Sequence, residues 1–216
     1  MGLSDEGQRH QVVFDCNVYL DVARVLGEPF TWEKFLAMSA RLNAVPLPHP
    51  IDGAFDSLRA IAVTMPGCFP GQGALEVWTS SHIDRMVRGK AVQSADRDPV
   101  SGECGLGWSK KSGQALVDDL IHGLADECGG TLGRTDTDGK PPLDHEDGLI
   151  YGACQTLTGI DGLARVYCVT RDREFLQFYS KGRLRKHSRV MSPATFVAYL
   201  RHASATASIR RFPRPS

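Results

Sequence analysis

The chain has no excess of either charge. Its 216 residues carry 25 Lys and Arg against 25 Asp and Glu, a formal net charge of zero. That excludes a globally basic nucleic-acid binder and leaves only local basic faces to attract a polyanion. No stretch approaches the roughly 20 apolar residues of a membrane span, so no membrane partner is expected. The opening MGLSDEGQRH is polar and has no signal-peptide core. The six cysteines are Cys16, Cys68, Cys104, Cys128, Cys154 and Cys168. They include no C-x-x-C pair and no histidine at zinc spacing, which argues against a structural zinc site. Cys16, Cys154 and Cys168 fall in apolar runs and read as buried free thiols, which fits a cytoplasmic location. No histidine stands beside a Ser or Cys at a nucleophile-like position, so triad chemistry is not expected. GQG and GECGLG lack the strand-to-helix setting of a phosphate-cradling loop.

What is present is globular. Hydrophobic residues make up 42% and charged residues 23%, and a chain of this length buries roughly 70% of its unfolded surface. VVFDCNVYL opens as a buried strand, Gln11 to Phe14, ending on Asp15. Apolar residues at 18, 22, 25 and 26 then keep helical spacing. Thr31 caps a second expected helix through Asn43, and a third is expected over 53–64. Residues 27–73 as a whole read as an insertion or lid. Ala74 to Thr79 reads as a strand, with Ser80 and Ser81 capping a helix from His82. Helices are expected over 111–127 and 144–157, then a strand over 163–170 followed by Asp172 and a short helix. Ser192-Pro193 opens the last helix. Strands alternating with helices predict one three-layer α/β domain over 1–209 with a mostly parallel sheet, and a basic tail over 210–216.

Acids fall where the strands end. Asp15 closes the first strand, Asp144 and Asp147 occupy the first turn of a helix at i, i+3, and Asp172 follows the last long strand. In open α/β sheets, sites form at the carboxyl ends of strands. Converging carboxylates repel unless a hard divalent cation such as Mg²⁺ or Mn²⁺ neutralises them. Such a centre suits phosphodiester hydrolysis, because the metal lowers the pKa of a water and screens the transition state. Each acid alone also has a bland role, as a helix-dipole or turn residue.

Taken in order, these segments resemble PIN-domain ribonucleases. VVFDCNVYL is similar to their opening strand, with Asp15 and Asn17 matching Asp-x-Asn. DHEDGLIYGACQ resembles their central acidic helix, with Asp147 the match and Asp144 its neighbour. YCVTRDREFL resembles the strand followed by Thr-x-Asp, here Thr170 and Asp172. RVMSPATFVAYL resembles their closing strand and helix. The resemblance covers about 12–26 and 74–200. It departs at the second acid, where the family carries Glu in the helix after strand two. Asp84 is the acid available there, and Glu76, within the strand, is the other candidate.

The resemblance implies a PIN-like fold with an insertion after the first helix and a Mg²⁺- or Mn²⁺-dependent endoribonuclease. Asp15, Asp84, Asp147 and Asp172 would be catalytic and metal-binding, supported by Asn17, Asp144 and Thr170. It points to RNA as partner, and to an antitoxin protein if the chain belongs with the VapC-like toxins; a homodimer is a further partner considered. The basic run after Asp172 supplies Arg183, Arg185 and Lys186 as candidate RNA contacts. Two other classes stand beside this one. FDCN resembles an aspartyl-phosphatase opening, but Asn17 replaces the second Asp that this chemistry needs. A catalytically silent PIN-like binding module is the alternative that an absent Glu supports.

Overall fold

The computed structural model describes residues 9–44, 53–70, 73–97, 99, 104–133, 141–160, 164–184 and 188–210, with side chains of the last helix described through 207. Its strands are β1 (His10–Phe14), β2 (Cys68–Phe69), β3 (Gly73–Ser80), β4 (Gly130–Leu132), β5 (Arg165–Val169) and β6 (Arg189–Met191). Its helices are α1 (Cys16–Leu26), α2 (Trp32–Ala44), α3 (Gly53–Ala62), α4 (Ser81–Val92), α5 (Lys110–Ala115), α6 (Gly123–Cys128), α7 (His145–Ile160), α8 (Arg173–Ser180) and α9 (Pro193–Arg210). A π-helical segment, Leu116–His122, joins α5 to α6. The class is α/β with a mixed sheet, compatible with a three-layer arrangement.

β1 holds the centre of the sheet. It pairs in parallel with β3 on one side and β5 on the other, and β6 extends the β5 edge in parallel. On the far side of β3, β4 runs parallel to its last residues and β2 antiparallel to its first. Every residue of β1 is buried, as a parallel strand covered on both faces requires. Val12, Val13, Phe14, Leu75, Val77, Tyr167 and Cys168 form the core around it. At Gly129 a Cβ would meet the Val77 carbonyl oxygen at 1.7 Å. The bare backbone there lets β4 close onto β3.

Helix starts follow the capping residues in the sequence. Thr31 Oγ1 accepts from the Lys34 N–H at 3.3 Å, Ser80 Oγ from Ile83 at 3.4 Å, and Ser192 Oγ from Thr195 at 3.2 Å. Within the 27–73 segment, Phe35, Leu58, Ile61 and Phe69 are buried in the core. Helix α3 packs on both α1 and α9. The last helix continues to Arg210; residues 211–216 lie outside the described residues. Among the described residues no helix is long and apolar enough to cross a membrane.

Candidate active site

β1 and β5 end in register, Phe14 opposite Val169. The Asp15 N–H therefore still donates to the Val169 carbonyl, at 2.9 Å. The chain turns away immediately afterwards, into α1 after Asp15 and into a short turn after Thr170. This end of the sheet opens on a cavity of about 460 Å³, lined by Asp15, Asn17, Asp144, Glu146, Asp147 and Asp172 among others.

Asp15 is almost fully buried and is aimed by two neighbours. Both the Thr170 hydroxyl and the Asn17 side-chain amide donate to its Oδ2. Thr170 Oγ1 also accepts from the Asp172 N–H at 2.9 Å, and Asn17 Oδ1 from the Arg171 N–H at 3.1 Å. The turn carrying Asp172 is thus tied to the start of α1. Asp172 itself caps α8, its Oδ1 accepting from the Phe175 N–H at 2.7 Å. Asp147 stands in the first turn of α7, which Asp144 caps through the Asp147 N–H at 2.9 Å. Asp15, Asn17, Asp144, Asp147 and Asp172 therefore meet at one place.

Burial and mutual repulsion show in the acidities. Desolvation raises the Asp15 carboxyl to about 6, against the pull of its Thr170 bond and with a further push from Asp172. Asp147 is raised to about 8, by desolvation first and then by Asp15, Asp172, Asp144 and Glu146. Among the described residues no three His, Cys, Asp or Glu side chains form a ready-made metal cage. The fit to a metal rests on donor chemistry: an all-carboxylate cluster whose members resist ionising together suits a hard dication.

The two candidates for the second acid lie elsewhere. Asp84 does not line this cavity. Its Oδ2 is 2.9 Å from His122 Nε2 and its Oδ1 accepts from the Thr79 hydroxyl at 3.2 Å. The π-helical turn brings His122 to it. Glu76 sits opposite Gln11, well short of the strand ends. It accepts from Arg9 at 2.8 Å, Gln11 at 3.0 Å and Trp78 at 2.9 Å. Toward the cavity α4 turns Met86 and Lys90 instead. Of the basic run, Arg183 lies over the Phe178 ring at 5.6 Å and does not line the cavity. Arg185 and Lys186 lie outside the described residues.

Sequence reasoning missed several lining residues: Cys16, Leu20, Arg24, Lys90, Cys104 and Glu146. A signal existed for two of them. Leu20 and Arg24 follow Asn17 at i+3 and i+7, one face of α1. Cys104 offered none. It arrives because residues 105–108 fold back on α4, with the Leu106 N–H on the Lys90 carbonyl at 3.0 Å. No protein-family model, curated protein or solved structure matches this chain.

Proposed function

We propose that the chain is a Mg²⁺- or Mn²⁺-dependent endoribonuclease of PIN-domain type. The observation that carries this is the meeting of Asp15, Asp147 and Asp172, from three chain-distant segments, around one cavity at the carboxyl ends of parallel strands. These three would hold the cation. When bound, it supplies a water of lowered pKa and charge screening at the phosphoryl group. The chain's own residues set the stage. Thr170 and Asn17 fix the Asp15 carboxylate, and the α8 cap fixes Asp172. Leu20, Met86 and Ile150 give the cavity an apolar wall. Charge interactions beside such a wall are stronger than in open water. An antitoxin that covers the cavity is the protein partner this reading admits.

The test is single-stranded RNA incubated with Mn²⁺ or with EDTA. Expected are fragments with 5′-phosphate and 3′-hydroxyl ends, lost in EDTA and in Asp147→Asn. Ends carrying 2′,3′-cyclic phosphate, or full activity in EDTA, would sink the proposal. One observation favours a second reading, a silent RNA- or protein-binding module: α4 offers the cavity Met86 and Lys90 and no carboxylate. RNA bound but uncut in Mn²⁺ would decide for it.

A further inference from the structure

The cavity is not acidic throughout. Arg24, in the last turn of α1, and Lys90, in the last turn of α4, line it together with the carboxylates. We propose that Arg24 and Lys90 form a phosphate clamp that holds the backbone phosphate beside the scissile one, so that the strand crosses from the carboxylates toward the ends of α1 and α4. This rests on the nuclease reading of the same cavity.

Arg24 is not required to neutralise its nearest acid. Its Nη1 stands 3.5 Å from Asp21 Oδ1, a long contact. The other Asp21 oxygen already accepts from Arg171 at 2.6 Å and from the Ser57 hydroxyl at 2.8 Å. The Arg24 side chain is 51% exposed, and its contact with Asp21 is made by Nη1, one of three nitrogens in a guanidinium with five N–H donors. Cations in a last turn also complement the helix dipole, but that effect does not require both to line one cavity. The separation of charge suits a phosphodiester chain: the carboxylates would hold a cation for one phosphate, and Arg24 and Lys90 would take the next. A cavity of about 460 Å³ lies within the ~300–1,000 Å³ of ordinary ligand sites. Among the described residues of the run over 181–189, none lines it.

The test is binding of a fluorescent single-stranded RNA oligonucleotide to the full chain in EDTA, followed by anisotropy across a salt series. Each neutralised phosphate on a single strand contributes about −0.7 to the slope of log K against log salt. Arg24→Gln with Lys90→Gln is expected to flatten the slope by about 0.7 to 1.4. Arg183→Ala is expected to flatten it less. Should the double variant not fold, Lys90→Gln alone carries the test, with an expected change of about 0.7. An unchanged slope, a larger effect from Arg183→Ala, or no RNA binding by the unmutated chain at low salt overturns the clamp. Metal-dependent hydrolysis of bis(p-nitrophenyl) phosphate, which has no neighbouring phosphate, tests the nuclease reading separately. Its absence overturns that reading, while RNA binding and its salt slope decide the clamp.

Discussion

At the scale of single residues, Asp147, Glu76 and Asp84 have different surroundings, and substitution separates them. Asp147 gains little from its present setting, because burial and then four neighbouring acids disfavour its charged form. Asp147→Asn should therefore melt no lower than the unmutated chain in EDTA. The expected rise is about 2–4 °C for each kcal/mol of repulsion relieved. A clear fall in the melting temperature would make Asp147 a structural helix-start residue. Glu76 is the reverse case. Glu76→Ala removes the acceptor of three side chains, Gln11 among them buried, and should cost about 1–3 kcal/mol. Calorimetric titration with Mn²⁺ should be unchanged in Glu76→Ala and little changed in Asp84→Ala, but strongly weakened in Asp15→Ala. A large loss in Asp84→Ala would put that carboxylate back among the ligands. Cys104 gives an independent probe, since it is exposed and lines the cavity. A bulky maleimide should label Cys104 and Cys68 in the folded protein and leave buried Cys154 and Cys168 untouched. RNA binding should fall on labelling and be protected by Cys104→Ser.

At the scale of elements, Arg171 joins parts that the sequence separates. It lies between Thr170 and Asp172, and its guanidinium reaches Asp21 on α1, which also holds Ser57 on α3. Arg171→Ala leaves Asp21 buried with one cation fewer and should cost about 1–3 kcal/mol. Arg171→Lys should recover only part of this, because one ammonium cannot reproduce the guanidinium fork. Equal stability of Arg171→Ala and the unmutated chain would make this contact energetically idle. Nothing in the sequence singled out Arg171 or Asp21, because their meeting depends on how the turn between β5 and α8 lies against α1. The same reason explains what else was hidden. β1, α2, α4 and α9 were legible because their signals are local: an apolar β-branched run, and Thr or Ser caps at their starts. β2 and β4 have two and three residues, too few for a periodic pattern, and they exist only through pairing with β3. The Asp15 and Asp172 positions were legible because the ends of neighbouring parallel strands share an edge, and Asp147 because it stands in an acidic helix start. The side to which Asp84 turns was not. Its partner His122 is set by a π-helical turn inside a segment that reads as one regular helix.

At the scale of the whole molecule, a chain with no net charge concentrates acids at one end of its sheet, and its stability should record this through pH. His10 is buried, with its acidity shifted to about 4 by desolvation and by Arg165 and Arg189. Unfolded, it would take up a proton near 6.5. Between about 4 and 6.5 the unfolded chain therefore binds more protons at this site, and His10 makes stability fall as pH falls. Asp15 and Asp147 act with the opposite sign. Their folded values, about 6 and about 8, lie above the unfolded 3.8, so the folded chain holds the extra proton. Stability falls as pH rises from about 4 to 6 for Asp15 and from about 4 to 8 for Asp147. Between 6.5 and 8 the unfolded His10 loses its remaining half proton, so its opposing contribution fades, and Asp15 is mostly ionised, which leaves Asp147 dominant. The metal-free protein should therefore lose melting temperature steadily from pH 6.5 to 8. Asp147→Asn should remove most of that slope. Mn²⁺ should reverse it, because a ligand binding only the folded state adds about 2.7 kcal/mol at 100 times its Kd, and it binds better once the carboxyls are ionised. Scanning calorimetry at pH 6.5 and 8, with EDTA or Mn²⁺, makes the comparison. A melting temperature that stays level in EDTA, or that falls equally in Asp147→Asn, would mean that burial and the neighbouring acids do not hold the Asp147 carboxyl protonated as its placement requires.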